Sequence, residues 1–292
     1  MPVAVLLTNP ARPTLEPAAV EALRNAWGGG DAVWLAPDLA AEFTLPTTPG
    51  NLWDVWQEMQ ALGIDLCVVP DNGRRKKMLI ADMDSTMIGQ ECIDELADVA
   101  GVGDRVKDIT ARAMNGELDF EGALRERVAL LAGLPESVIA DVLRDRITEA
   151  PGGRTLLATM KAHGAQTLLV SGGFTAFSSA VAARIGFDDH QANVLLAENG
   201  VLTGHVAEPI LGRAAKIDAL EAAAAGLGIS AEDVVAVGDG ANDLGMLGRA
   251  GMGVALHAKP SVAAECDLRI NHADLTALLY LQGYSAAAFT GH

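Results

Sequence analysis

Apolar residues fall into two kinds of run along this chain. Met78-Leu79-Ile80-Ala81, Leu168-Leu169-Val170 and Val234-Val235-Ala236-Val237 are solid apolar tetrads or triads without polar alternation. Such runs suit strands buried on both faces. The stretches between them repeat apolar positions at helical spacing, so the pattern predicts strands alternating with helices.

Residues 1–70 predict strand 3–7, helix 17–27, strand 32–36, a weakly patterned strand 42–45, helix 52–62 and strand 65–69. That order is βαββαβ, the split arrangement of ferredoxin-like folds. Trp27, Trp34, Trp53 and Trp56 all lie here, where core or interface packing is their expected role. Pro70-Asp71-Asn72-Gly73 is a turn cluster, which divides the chain into 1–73 and 74–292.

After strand 78–81, residues 92–149 are helical and rich in charge. Gly101 to Gly103, Asn115-Gly116 and Gly133 to Pro135 interrupt them. With no strand in this stretch, a small helical subdomain at about 88–150 should stand off the sheet. Helix 153–163, strand 166–170 and helix 174–185 resume the alternation. Segments 194–196 and 201–204 flank Asn199-Gly200, a hairpin signal. Helix 213–225, strand 233–237, helix 244–250, strand 253–256, helix 260–265, strand 268–270 and helix 275–280 follow. Strands joined by helices imply right-handed crossovers and a mostly parallel sheet with helices on both faces.

A net charge of -17 and a pI near 4.6 argue against nucleic acid and anionic membrane as partners, since both require a basic surface. The one dense basic run, Arg74-Arg75-Lys76-Lys77, reads as a solvated linker, with a phosphate-steering patch as the second reading. Cys67, Cys92 and Cys266 are odd in number and widely spaced, so neither a disulfide framework nor a thiolate zinc site is expected. No signal peptide or membrane span is apparent, and a cytoplasmic location is the expectation.

The chemistry concentrates where apolar strands run into small polar loops. Asp82-Met83-Asp84-Ser85-Thr86 follows the first run, Ser171-Gly172-Gly173 the second and Asp239-Gly240-Ala241-Asn242-Asp243 the third. In open α/β sheets, loops at the carboxyl ends of strands converge on one crevice. Asp82, Asp84 and Asp239 would offer hard oxygen ligands without His or Cys, a set suited to Mg²⁺. A calcium loop is the competing reading, but the alternating oxygens and terminal Glu of an EF-hand are missing from both segments.

At a phosphate-sized site, Asp82 would serve as nucleophile and Asp84 as general acid and base. Lys216 would add positive charge, with Asp243 orienting it or holding the metal's water shell. Ser171 and the amides of Gly172 and Gly173 would hydrogen-bond phosphoryl oxygens. Duller readings stand beside these. Ser171 is equally a helix cap, Lys216 an exposed helical lysine and Gly-Asp-Gly a turn.

Taken together and in this order, Asp82-Met83-Asp84-Ser85-Thr86, Ser171-Gly172-Gly173-Phe174, Lys216 and Gly238-Asp239-Gly240-Ala241-Asn242-Asp243 resemble the ordered motifs of haloacid-dehalogenase-superfamily phosphatases. Within them they look like the members that hydrolyse free O-phospho-L-serine. The resemblance spans about residues 76 to 280. It implies a Rossmann-like core with an inserted helical cap and an aspartyl-phosphate intermediate. It also implies Mg²⁺ held by the Asp82 carboxylate, the Asp84 main-chain carbonyl and Asp239, with Asp243 behind them.

A free phosphoserine carries an ammonium and a carboxylate, so its pocket needs one anionic and one bidentate cationic side chain. Glu91 and Arg127 match the family's positions for these tasks, Met114 and Phe120 its apolar closure, and Asn242 a further substrate contact. Arg125 is the competing arginine. Family members often carry an amino-acid-binding regulatory domain at the front, so residues 1–73 are expected to form an ACT-like α+β domain. Its role would be dimerisation or packing against the core.

The leading expectation is Mg²⁺-dependent hydrolysis of that phosphomonoester, the last step of serine synthesis. The alternatives are a phosphatase or phosphotransferase acting on phosphohomoserine or phosphothreonine, and a non-catalytic amino-acid sensor.

Overall fold

The computed structural model describes residues 1–114 and 117–291. The N-terminal part runs β1 (Pro2–Leu7), α1 (Pro17–Trp27), β2 (Val33–Ala36), β3 (Ala40–Thr44), α2 (Leu52–Ala61) and β4 (Asp65–Pro70). These strands form an antiparallel sheet of order β2-β3-β1-β4, as expected of the split βαββαβ arrangement. The weakly patterned strand is real but begins two residues before the expected position, because Ala40 and Ala41 pair with Leu7 and Leu6.

Alternation along β1 decides where this sheet sits. Ala4 and Leu6 face α1 and α2, whereas Val3, Val5 and Leu7 face the rest of the chain and join the main core. Burying each such Val or Leu contributes about 1.5–3 kcal/mol. The sheet is therefore covered on both sides, by its own helices and by the C-terminal segment around Tyr280 and Tyr284. Trp27, Trp34 and Trp56 pack against the N-terminal core, and Arg269 lies over the Trp53 ring at 4.0 Å.

The basic run is a solvated linker only at Arg75 and Lys77, which are exposed. Arg74 and Lys76 are buried: Arg74 pairs with Glu42 and donates to the carbonyls of Tyr280 and Leu281, and Lys76 Nζ donates to the Glu232 carbonyl at 2.7 Å. Charge density in the sequence could not show that carbonyls more than two hundred residues away would receive Arg74.

The remainder begins with β5 (Met78–Ala81), followed by α3 (Cys92–Val99), α4 (Gly103–Met114), α5 (Phe120–Ala129) and α6 (Val138–Asp145). Then come α7 (Gly153–Ala162), β6 (Gln166–Phe174), α8 (Thr175–Ile185), β7 (Asp189–Asn193), β8 (Leu195–Glu198) and β9 (Val201–Val206). The chain finishes with α9 (Arg213–Gly226), β10 (Val234–Gly238), α10 (Leu244–Arg249), β11 (Met252–Leu256), α11 (Pro260–Ala263), β12 (Leu268–Ile270) and α12 (Ala277–Leu281).

Six strands form one sheet of order β12-β11-β10-β5-β6-β7, and every pairing is parallel. Met78 and Ile80 face one core and Leu79 and Ala81 the other, so helices cover both faces. Two strand readings need correction. Strand β6 runs on through Ser171-Gly172-Gly173 to Phe174, and β7 is an edge strand that the sequence pattern does not announce. Its residues Asp-His-Gln-Ala-Asn are mostly polar because only one side of an edge strand meets the core.

The hairpin β8-β9 stands apart from this sheet and docks on the helical segment. Gly133 donates to the Leu202 carbonyl, and Leu202 to that of Leu134.

Candidate active site

Strand β5 lies between β10 and β6, so the loops that follow these three strands are neighbours at one edge of the sheet. This ordering brings Asp82, Ser171 and Asp239 together. They meet in or beneath a cleft of about 630 Å³ that reaches up to α5 of the helical segment.

Lys216 is 1% exposed, which removes the surface-lysine reading. Its ammonium donates to Asp82 Oδ1 at 2.5 Å and to Asp243 Oδ1 at 2.6 Å. The other oxygen of Asp243 accepts from the Gly240 amide at 2.9 Å, so this carboxylate is committed to holding the lysine and its own loop. Burial disfavours charge on Lys216, but Asp82 and Asp243 outweigh it and raise its pKa. One positive charge cannot neutralise two carboxylates, however. Burial and then Asp243 hold the Asp82 carboxyl well above its usual range.

Carboxylate oxygens of Asp82, Asp239 and Asp243 lie within 4.8 Å of one another. Asp239 accepts from Thr86 Oγ1 at 3.1 Å, and burial followed by the Asp243 charge pushes its pKa up to about 6. Asp82 and Asp239, hard oxygen donors crowded by the Asp243 charge behind them, fit a small divalent cation.

The side chain of Asp84 turns elsewhere. It accepts from the Cys92 amide at 3.2 Å and lies 3.5 Å from Ser171 Oγ. Burial, then the charge of Glu91, pushes its pKa up to about 7. Gly173 leaves room for it, since a Cβ there would lie 2.8 Å from Asp84 Oδ2. Ser171 is not the cap of α8: that position belongs to Phe174, and the Ser171 hydroxyl accepts from the Gly173 amide at 2.8 Å.

The upper wall comes from α3 and α5. Asp119 caps α5 by accepting from the Gly122 amide at 2.7 Å. Phe120 and Arg127, two turns apart, therefore present on one side of that helix. Both line the cleft, as do Glu91 and Asn242. Glu91 accepts from Ser85 Oγ at 2.7 Å. Burial lowers the Arg127 pKa against the opposing pull of Asp94, Glu91 and Asp84. Arg125 faces outward to Glu121 and Glu208. The side chain of Met114, with Asn115 and Gly116, lies outside the described residues.

Sequence reasoning missed Thr86, Asp94, Arg213 and Lys259, of which the last three also line the cleft. Lys259 was findable, because it follows β11 on the same edge as the other strand-end loops.

The family model of the haloacid dehalogenase-like hydrolases matches residues 79–248. A phosphoserine phosphatase of Streptomyces coelicolor is 46% identical over 228 residues, which are 77% of this chain and 55% of that one. The chain thus spans just over half the length of this relative. Among solved structures, a HAD family hydrolase from Salmonella enterica serovar Typhi superposes with a TM-score of 0.86 at 32% identity, covering 96% of this chain and 98% of that one. A probable phosphoserine phosphatase from Vibrio cholerae superposes with a TM-score of 0.79 at 32% identity, over 98% of this chain and 88% of that one.

Proposed function

The chain belongs to the haloacid dehalogenase-like hydrolase family, and on that premise we propose that it hydrolyses O-phospho-L-serine to L-serine and phosphate with Mg²⁺ as cofactor. In this reading residues 1–73 are an ACT-like domain and residues 74–292 the phosphatase core, with the cap at about 88–150.

Asp82 attacks phosphorus with one carboxylate oxygen, and the bond from phosphorus to the seryl oxygen breaks as the aspartyl phosphate forms. Asp84 donates its proton to the departing seryl oxygen. It then removes a proton from a water molecule that attacks phosphorus, which releases phosphate and restores Asp82. Lys216, the Ser171 hydroxyl, the Gly172 amide and Asn242 bind phosphoryl oxygens, and the Gly173 amide holds the Ser171 hydroxyl in place. Asp82, Asp239 and the Asp84 carbonyl would hold the ion, with Asp243 behind them. Once bound, Mg²⁺ offsets negative charge on the phosphoryl group.

Glu91 receives the substrate ammonium and Arg127 its carboxylate, while Phe120 and Met114 close the apolar side. One observation carries the substrate assignment: Glu91 and Arg127, of opposite sign, line the same cleft as Asp82 and Asp84. A phosphomonoester without both amino-acid groups would leave one of them unanswered.

Turnover measured across phosphoserine, phosphothreonine, phosphohomoserine and an aryl phosphate tests this. Phosphoserine should lead by about 10²-fold in kcat/KM, and equal rates on all four would remove the substrate claim. Arg127→Ala should raise KM for phosphoserine about 30-fold, as loss of a charge-assisted bidentate contact does, and leave the aryl phosphate nearly unchanged.

A further inference from the structure

The unannounced strand β7 ends on Asn193, which is 3% exposed. A buried primary amide is costly unless its donors and acceptor are all engaged. Here they are: Nδ2 donates to the Gly172 carbonyl at 2.9 Å and to the Leu211 carbonyl at 3.3 Å, and Oδ1 accepts from the Leu211 amide at 2.6 Å. One side chain therefore bridges the end of β6 to the segment that enters α9.

A trans peptide is planar, so its carbonyl and its N–H point in opposite directions. Holding the Gly172 carbonyl against Asn193 directs the Gly173 N–H away from it, onto Ser171 Oγ at 2.8 Å. Ser171 Oγ in turn lies 3.5 Å from Asp84 Oδ2. On the other side of the bridge, Leu211 precedes Gly212. A Cβ on Gly172 would lie 3.1 Å from the Phe120 ring, and one on Gly212 would lie 3.4 Å from it. Phe120 thus rests on a floor of two glycines whose backbones Asn193 ties together.

We propose that Asn193 is a positioning residue for the reaction assigned above. It orients the Gly172–Gly173 peptide and, through it, Ser171, and it holds Gly172 and Gly212 at the spacing that seats Phe120. The inference rests on the phosphatase reading of the cleft.

Asn193→Asp tests it with almost no change of shape. The variant keeps an acceptor for the Leu211 amide but sets a carboxylate oxygen against two carbonyls. Per folded molecule, kcat should fall about 10²-fold for both phosphoserine and an aryl phosphate, because both use the same floor. KM should rise several-fold for phosphoserine alone, because the cap contact serves it. A purely structural asparagine would instead lower the folded fraction and leave both constants of the folded molecules unchanged, which overturns the inference.

Calorimetric binding of inorganic phosphate with Mg²⁺ present gives an arm independent of substrate identity. Affinity should fall about tenfold in the variant. Wild-type protein that binds phosphate but leaves phosphoserine intact removes the substrate reading, and the inference is then decided by the phosphate arm. Equal phosphate affinity in variant and wild type overturns it. Should the aspartate variant not fold, Asn193→Ser retains one donor and one acceptor and is put through the same comparison.

Discussion

Asp65 and Asp82 are both buried aspartates at the ends of strands, yet their surroundings are opposite. Asp65 opens β4 and is 0% exposed; its carboxylate accepts backbone amides from Asn271, His272 and Ala273 at 2.8 to 3.0 Å. These donors are neutral backbone amides, and through them Asp65 binds the N-terminal sheet to the loop after β12. Asp82 closes β5 beside Asp239 and Asp243, and shares one lysine with the latter. Burial is common to both and therefore does not mark function. The distinction is between a carboxylate whose lone pairs are met by neutral donors and one packed against like charges, which costs stability until a cation or proton intervenes.

The largest test of that contrast is Asp82→Asn. It should lower kcat by on the order of 10⁴, while the metal-free fold becomes more stable in denaturant melts, because a source of like-charge repulsion is gone. A variant that is both active and less stable would place Asp82 with Asp65.

Asp65→Ala should do the reverse. Leaving three buried amides without their acceptor costs about 3–5 kcal/mol, read as a lower denaturation midpoint, with kcat per folded molecule close to wild type. Lost turnover in well-folded Asp65→Ala would make the cradle part of the site.

A further test lies in the pH dependence of stability. Asp239 near 6 and Asp84 near 7 are both raised above the ordinary carboxylate value. The metal-free fold therefore binds more protons than the unfolded chain, and its stability should decline as pH rises from about 4 to about 7. Excess Mg²⁺ should flatten that decline, because the ion favours the deprotonated carboxylates. Thermal melts at several pH values, with and without Mg²⁺, read this out. A metal-free protein whose stability climbs over this range would contradict the raised values.

The site floor was legible because its residues sit where apolar runs break into Asp, Ser and Gly. A strand that is buried on both faces must be solidly apolar, and its end must be polar if a ligand is to bind there. Asp82, Ser171 and Asp239 announced themselves in this way. The cap residues were less legible. Glu and Arg on helices are ordinary, and it took the resemblance to single out Glu91, Phe120 and Arg127. Arg74 and Asn193 were illegible, since each owes its role to carbonyls brought near by distant parts of the chain.

By itself, then, the amino-acid order determined the alternation of strands and helices, the loops that carry acid and the stretch with no strand that became the cap. Those are local consequences of side-chain period and turn chemistry. Tertiary structure alone decided that β5 would lie between β6 and β10, that one lysine would serve two aspartates and that an edge-strand asparagine would staple two loops. Hydrogen-bond partners and like-charge neighbours are properties of distance in space, which sequence spacing does not encode.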